Sequence, residues 1–545
     1  MVKKLYLITL LIAAIFFQGI QCEVQKQDNE MIQCYENETC LSALIKCQNQ
    51  CLTFNDEKLK QNCLIQCATI ITQQIDHLES KNQSDNNTIT NEQMNDLETN
   101  DGKYMKIDQQ KYQKFLEDPH SHDGQSLLKI DCDRVKTKKK VALNIMTPAE
   151  SVKNYFKSRC DFEIVNKNSK DFDFKWTSFQ RYQNFKKLKS GKQIINHIGK
   201  VKELLSDKDN LVKTLKKFDK KNLYNFNSND IHFKTFQMNL KSETYNEEEL
   251  AFMNEPNKGL WLTKNPSSSV GLGIKIYNDL EEIKQNVREI KASSKNGKVD
   301  KAKIKQFSFI QEYMDKPLLK NGKKLDLRVY MLVASLDPFV LLYQDGWARS
   351  CILPYDTDIS QDEDWGFKHL SNKQFQYTYY KNNKEKVGEH CFSSKEVEEF
   401  LKNEKGLSDE KLEAINHESK KVLAYTFMAA KDRLKHQQGA YQVMGADLIY
   451  DEDYNVKIIE LNTNPGLKDA FECQSYVIAQ MVQSTLDLVT ETLYDPSTLR
   501  EKWSHPEKLE LGRWQIVINE ATGYNILDQY LVDKKSDDKQ KRIEL

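Results

Sequence analysis

Near the C-terminal end of this 545-residue chain, the stretch "VKIIELNTNPGL", Val456 to Leu467, begins as an apolar strand and breaks at Asn464-Pro465-Gly466. Glu460 and Asn462 stand two apart just before the break, so an acid and an amide share one strand face. Upstream, "GADLIY" leads into the turn "DEDYN" and then this strand, which is the pattern of a β-hairpin. With the turn centred near Asp453, Asp447 comes opposite Glu460 to within a residue. Two carboxylates about 5 Å apart repel by roughly 3 kcal/mol at an effective dielectric near ~20. A proton on one acid, or a cation between them, removes that repulsion. Two carboxylates and an amide oxygen, with waters and phosphates completing the shell, suit Mg²⁺. A register slip of one residue would instead part the acids on a surface hairpin.

Magnesium of this kind accompanies nucleotide phosphate, so cations are expected nearby. In "KKLDLRVYMLV", Lys324, Asp326 and Arg328 alternate with Leu325, Leu327 and Val329, giving one charged and one apolar strand face. A solvated edge is the ordinary reading of such alternation. Lys264 ends the strand "GLWLTK", and the following "NPSSSVGLGI" has glycines and serines that allow backbone amides to approach a phosphate. Most Gly-Leu-Gly turns, Gly271 to Gly273 here, are only turns. "FIQEYM" reads as a strand whose end, before Asp315-Lys316-Pro317, can offer backbone to an adenine edge.

Taken in order, these motifs resemble those of the tubulin-tyrosine-ligase-like family of ATP-grasp ligases. The resemblance covers roughly residues 170 to 490 and also takes in "QIINHIG", "ELLSDKDNL", "GWARS" and "HLSN". It implies an α/β (α+β) ATP-grasp fold with a small N-terminal α/β domain. By the same resemblance, Lys208, Lys264, Lys324, Arg328 and Arg349 would hold phosphates or an acyl phosphate. Gly271, Gly273, Asp326 and Asn372 would belong to the nucleotide site, and Gln311, Glu312, Tyr313 and Met314 would line the adenine. Asp447, Glu460 and Asn462 would bind Mg²⁺, while Arg328 and Arg349 are also suited to grip an amino acid's carboxylate. The implied reaction uses ATP to activate a protein carboxylate, which an amino acid's amine then captures as an amide. Glutamate is the expected amino acid, with glycine or tyrosine as alternatives. The acceptor, tubulin in the family, supplies side-chain or C-terminal carboxylates, and a monomer is expected. A catalytically inactive binding protein with the same fold is the competing reading. Two positions depart from the family pattern: Asn265 follows the lysine where proline is usual, and Leu272 replaces a basic residue between the glycines.

Around these motifs the chain divides by composition. "KVALNI" and "DFEIVN" read as strands with the helix "AESVKNYFKSR" between them, a βαβ rhythm. That domain is expected over residues 126–230, with the ATP-grasp domains over 231–500 and a polar, peripheral tail over 501–545. "GKVKELLSDKDNLVKTLKKF" and "LEEIKQNVREIKA" carry apolar residues at helical spacing. Residues 76–125, rich in Asn, Gln, Asp and Ser, read as a linker.

The N-terminal residues 1–22, "MVKKLYLITLLIAAIFFQGIQC", place two lysines before a short apolar run, the layout of a secretory signal peptide or of an uncleaved anchor. Residues 23–75 hold Cys47-xxx-Cys51 and Cys63-xxx-Cys67, each pair on one helix face, which suggests a disulfide-stapled helical hairpin. A zinc site is the alternative, although histidine is absent from the pattern. Asn37, Asn82 and Asn86 lie in glycosylation sequons. The ending "KRIEL" weakly resembles an ER-retention signal. The secretory pathway, either the ER lumen or secretion, is therefore the expected location, with the cytoplasm the alternative if the leader does not function. Lys plus Arg and Asp plus Glu are equal at 80 each, so bulk charge does not point to nucleic acid.

Overall fold

The computed structural model describes residues 133–532, apart from positions 134, 147–148, 190, 267, 269–270, 272, 296–299, 360–363, 382 and 469–470. The expected leader, cysteine-rich hairpin and linker lie outside the described residues, as do the sequons and the "KRIEL" ending.

The described chain opens with β1 (Lys139–Asn144), α1 (Glu150–Lys157), β2 (Phe162–Val165), β3 (Phe174–Thr177) and β4 (Ile194–Ile195). These strands pair in parallel in the order β2-β1-β3-β4, so the βαβ rhythm of the sequence is realised. Helix α2 (Lys208–Asp219) follows.

A second sheet is antiparallel. Its strands are β5 (Thr235–Gln237), β6 (Leu260–Thr263), β7 (Lys275–Tyr277) and β8 (Phe309–Tyr313), ordered β5-β8-β6-β7. One face packs on α3 (Leu280–Lys295) through Phe236, Trp261, Ile283, Val287 and Ile310.

The third sheet is the frame of the molecule. It comprises β9 (Leu319–Lys320), β10 (Lys323–Leu336), β11 (Phe339–Ser350), β12 (Cys391–Ser393), β13 (Gln442–Tyr450), β14 (Val456–Asn462), β15 (Gln515–Asn519) and β16 (Tyr524–Asn525). Its main path runs β14-β13-β10-β11-β15-β16, with β9 added to β10 and β12 to β11. Along β10, odd-numbered Leu325, Val329, Met331 and Val333 face a core that includes α4 (Asp409–Lys431). Even-numbered Tyr330, Leu332 and Ala334 face a second core with α1 and α5 (Glu472–Leu493). Lys324, Asp326 and Arg328 continue that even face beyond the second core.

Residues 501–532 correct the expectation of a peripheral tail. Trp503, Trp514, Val517, Ile518 and Leu527 are buried, and β15 pairs with β11 as part of the central sheet. Their apolar residues are diluted among charges, and the short Ile516-Val517-Ile518 run of β15, set between β11 and β16, is brief against that polar background. Cys391 in β12 and Cys473 in α5 form a disulfide with 6.1 Å between Cα atoms. Cys160 is also disulfide-bonded, and Cys351 is free and buried.

Candidate active site

The hairpin β13–β14 carries the acids that opened the sequence reading. Asp447 pairs directly with Glu460, and Gly445 with Asn462. Between Asp447–Glu460 and Leu448–Ile458 the ladder gains one residue, a β-bulge. The bulge lets Ile458 and Leu461 both face the core while Glu460 shares the face of Asp447. The Ile458-to-Leu461 spacing of three is the trace of this bulge in the sequence.

Neighbouring strands bring the basic residues against these acids. Arg328 stands beside Asp447 across β10–β13, and Asp326 beside Arg349 across β10–β11. Arg328 Nε donates to Asp447 at 2.5 Å, and Arg349 Nη2 donates to the other Asp447 oxygen at 2.8 Å. Arg349 Nε also donates to Asp326 at 2.6 Å, and the Ser371 hydroxyl donates to the same carboxylate. Burial alone would raise the Asp447 pKa, but the two guanidiniums outweigh it and hold it at about 2. All four charged groups are buried, so the row of charges on β10 is not a solvated edge.

Glu460 has a different partner. Lys208 Nζ lies 3.0 Å from one oxygen, and Asn462 Nδ2 donates to the other at 3.1 Å. Burial and Asp447 push the Glu460 pKa up; Lys208 and Asn462 outweigh them and hold it below the usual range. Lys208 is the first residue of α2, where the helix dipole disfavours a cation. Its pairing with Glu460 across the chain offsets that cost.

The antiparallel sheet supplies further groups. Lys264, just past β6, donates to Gln311 Oε1 at 2.8 Å, and Gln311 in turn donates to Thr235 at 2.8 Å. Burial, reinforced by the Lys208 charge, lowers the Lys264 pKa to about 7. Lys324 donates to the Tyr313 hydroxyl at 2.9 Å and to the His369 carbonyl at 3.2 Å, and burial lowers its pKa. Gly271 and Gly273 both have φ near +74°, and a Cβ on Gly271 would meet Leu370 at 2.9 Å. Glycine is needed at Gly271 on both counts.

Glu312 and Asn372, both expected at the nucleotide, differ in their surroundings. The Glu312 side chain is exposed, on the side of β8 opposite buried Gln311 and Tyr313, and Met314 is half-buried. Alternation along the strand turns the Glu312 side chain to the face opposite Gln311 and Tyr313. Asn372 caps the short helix Lys373–Gln376 by accepting from the Gln374 and Phe375 amides at 3.0 and 3.4 Å. Ser371 and Lys373, on either side of it, are the residues that approach the charged network. Sequence reasoning quoted "HLSN" but did not single out Ser371 and stopped one residue short of Lys373.

The donor set at Asp447, Glu460 and Asn462 fits a hard divalent cation. Two opposed carboxylates and an amide oxygen are hard oxygen ligands; here Arg328 and Arg349 take the two Asp447 oxygens, and Lys208 and Asn462 Nδ2 take those of Glu460. Among the described residues no group of three or more His, Cys, Asp and Glu side chains is placed to hold a metal, so a cation here depends on the amide and on non-protein oxygens.

The sequence profile of the tubulin-tyrosine ligase family matches residues 184–498 of the chain. The chain belongs to that family. Its members among similar proteins include the protein polyglycylase TTLL10 of Mus musculus, 26% identical over 362 residues, covering 63% of this chain and 50% of that protein. A probable alpha-tubulin polyglutamylase, Ttll1 of Tetrahymena thermophila, is 24% identical over 392 residues and is covered over 91% of its length. The inactive polyglycylase TTLL10 of Homo sapiens is 28% identical over 266 residues, 47% of this chain and 38% of that protein. The chain spans about half the length of the polyglycylases it matches. Its mixed α/β architecture accords with the ATP-grasp form of the family fold.

Proposed function

We propose that this family member is an ATP- and magnesium-dependent ligase that joins an amino acid to a protein carboxylate through an amide. The observation that carries the reading is the pairing of Asp447 with Glu460 beside a buried row of Lys324, Asp326, Arg328 and Arg349. Burying so many charges is costly unless a highly charged substrate makes use of them. Lys208, Lys264 and Lys324 would meet phosphate oxygens, lowering the barrier as negative charge moves onto them. Arg328 and Arg349 are fixed by Asp447 and Asp326 and keep their remaining N–H groups for an oxyanion or a carboxylate. Bound magnesium would supply further charge stabilisation at the phosphates through Asp447, Glu460 and Asn462.

Glutamate or glycine is the amino acid we favour, since relatives named as a polyglutamylase and as polyglycylases both match. The Cys391–Cys473 disulfide supports an oxidising compartment, in agreement with the leader-like N-terminus. A secretory-pathway acceptor other than tubulin follows from that location. The relative named inactive favours a second reading, a nucleotide-binding protein without turnover.

The deciding experiment supplies the purified protein with ATP, magnesium, a glutamate-rich acceptor peptide and, in turn, glutamate, glycine or tyrosine. Mass spectrometry of the acceptor should show an added residue for one of them, absent with Glu460→Gln. Nucleotide binding without any adduct supports the inactive reading, and no binding at all sinks both. Location is tested separately by glycosylation at Asn37, Asn82 and Asn86 in cells; an unglycosylated cytosolic product overturns the secretory assignment.

A further inference from the structure

The arginines of the site find acids, and Lys264 and Lys324 find neutral acceptors, but Lys373 beside them finds neither. Lys373 Nζ is buried and meets no hydrogen-bond acceptor among the described residues. It lies between two aromatic rings, 3.6 Å from the Phe471 centroid and 4.5 Å from that of Trp347. Trp347 sits on β11 two residues before Arg349, on the same strand face. Arg349, Arg328 and Asp326 are the charged groups that act on Lys373.

Neither nearby acid is available to it. Asp326 is taken by Arg349 and Ser371, and Asp447 by Arg328 and Arg349. Arg328, Arg349 and Lys373 therefore face only two carboxylates, which leaves one positive charge in excess. A buried ammonium without a partner is costly, and contact with ring faces offsets only part of that cost. Burial and the two guanidiniums lower its pKa to about 6, the direction expected of a cation that lacks its counter-ion. Nothing in the packing requires a lysine there: an apolar chain would fill a slot between Trp347 and Phe471 at lower cost.

We propose that Lys373, held between Trp347 and Phe471, binds a carboxylate of the reactants, that of the incoming amino acid. The N–H donors of its ammonium group, which no acceptor among the described residues takes up, suit a carboxylate's oxygens. The Nζ atom is enclosed, which favours a small molecule over a protein chain, although an acceptor's glutamate carries the same group. Naming the carboxylate's bearer rests on the ligase reading; the existence of the anion site does not.

The test is calorimetric titration of the purified wild type and Lys373→Met with L-glutamate, glycine and a glutamate-rich peptide. Each is run with and without magnesium and a non-hydrolysable ATP analogue. Lys373→Met should weaken at least one carboxylate probe tenfold or more, while nucleotide affinity changes less than twofold. Loss of both glutamate and glycine identifies the donor's α-carboxylate, and loss of glutamate alone its side chain. Loss confined to the peptide supports the carboxylate site but moves it to the acceptor. Melting should occur no lower in Lys373→Met than in the wild type, because the substitution removes a buried amine that has no hydrogen-bond partner among the described residues. Unchanged affinities for all three probes, weakening confined to the nucleotide, or a wild type that binds no carboxylate probe would each overturn the proposal. A wild type that binds a carboxylate but never ligates would leave the anion site standing and defeat the ligase reading alone.

Discussion

Asp447 and Glu460 face each other across β13–β14, yet their partners differ in kind. Asp447 neutralises two buried arginines, whereas Glu460 pairs with a lysine about a quarter exposed. The two acids should therefore separate on substitution. Asp447→Asn strands Arg328, leaves Arg349 with Asp326 alone, and should cost about 3–5 kcal/mol of stability. Glu460→Gln leaves only Lys208 without its counter-charge and should cost about 1 kcal/mol or less. Both should weaken magnesium-dependent ATP binding at least tenfold. Urea denaturation alongside nucleotide titration checks the pair; equal stability losses would refute the assignment of partners.

Lys264 gives a proton signature. Its folded pKa of about 7 lies below the ordinary lysine value, so near pH 8 it is mostly neutral in the free protein. Phosphate bound beside it favours the charged form and raises that pKa. ATP binding at pH 8 should therefore take up a fraction of a proton, falling towards zero near pH 6, where the group is already charged. Calorimetry in buffers of different ionisation heat measures this directly, and Lys264→Met should abolish the component assigned to this residue.

A stability test lies away from the site. Asp487 on α5 accepts from the Tyr155 hydroxyl at 2.7 Å, with Arg159 Nη1 at 3.4 Å. Burial outweighs both and raises its pKa from 3.8 to about 6. For an acid raised on folding, its contribution is fully present below pH 4 and is lost as pH rises to about 6. Asp487→Asn should remove that loss and gain at most about 3 kcal/mol at pH 7, with little gain at pH 4. A destabilised variant at both pH values would show that the Arg159 pairing dominates instead.

Much of this arrangement was legible because strand periodicity and turn chemistry are local. The alternation Lys324-Asp326-Arg328 marked one face of β10, and "DEDYN" set the β13–β14 register to within one residue. Other features depend on elements distant in sequence. Burial of the β10 charges follows from β11 and β13 on either side, which alternation alone cannot distinguish from a wet edge. The exposure of the Glu312 side chain and the helix cap made by Asn372 likewise depend on strand and helix placement that the family resemblance does not carry. Lys373 reads as an ordinary helix-start lysine until Phe471, almost a hundred positions later, closes over it. The strand Gln515–Asn519 carries the β-branched run Ile516-Val517-Ile518, but it is short and set in a polar, charged segment, and its place beside β11 is fixed only by tertiary pairing.

Two glycines provide the last contrast. Gly466 lies in the conspicuous Asn-Pro-Gly turn, but a Cβ there meets nothing within 4 Å and its φ is not in the left-handed region. Gly346, inconspicuous in "DGWARS", lies where the β10–β11 ladder is irregular between Arg328 and Tyr330. A Cβ on it would fall 2.0 Å from the Arg328 carbonyl oxygen and 3.2 Å from the Tyr330 ring. Backbone cannot give way as a flexible side chain can, so β10 must shift at the residue that holds Asp447. Gly346→Ala should cost about 3 kcal/mol and weaken nucleotide binding with it. Gly466→Ala should stay within about 0.5 kcal/mol of the wild type. Thermal melting and ATP titration of both variants decide the matter: a neutral Gly346→Ala would mean that the β10–β11 irregularity does not position Arg328.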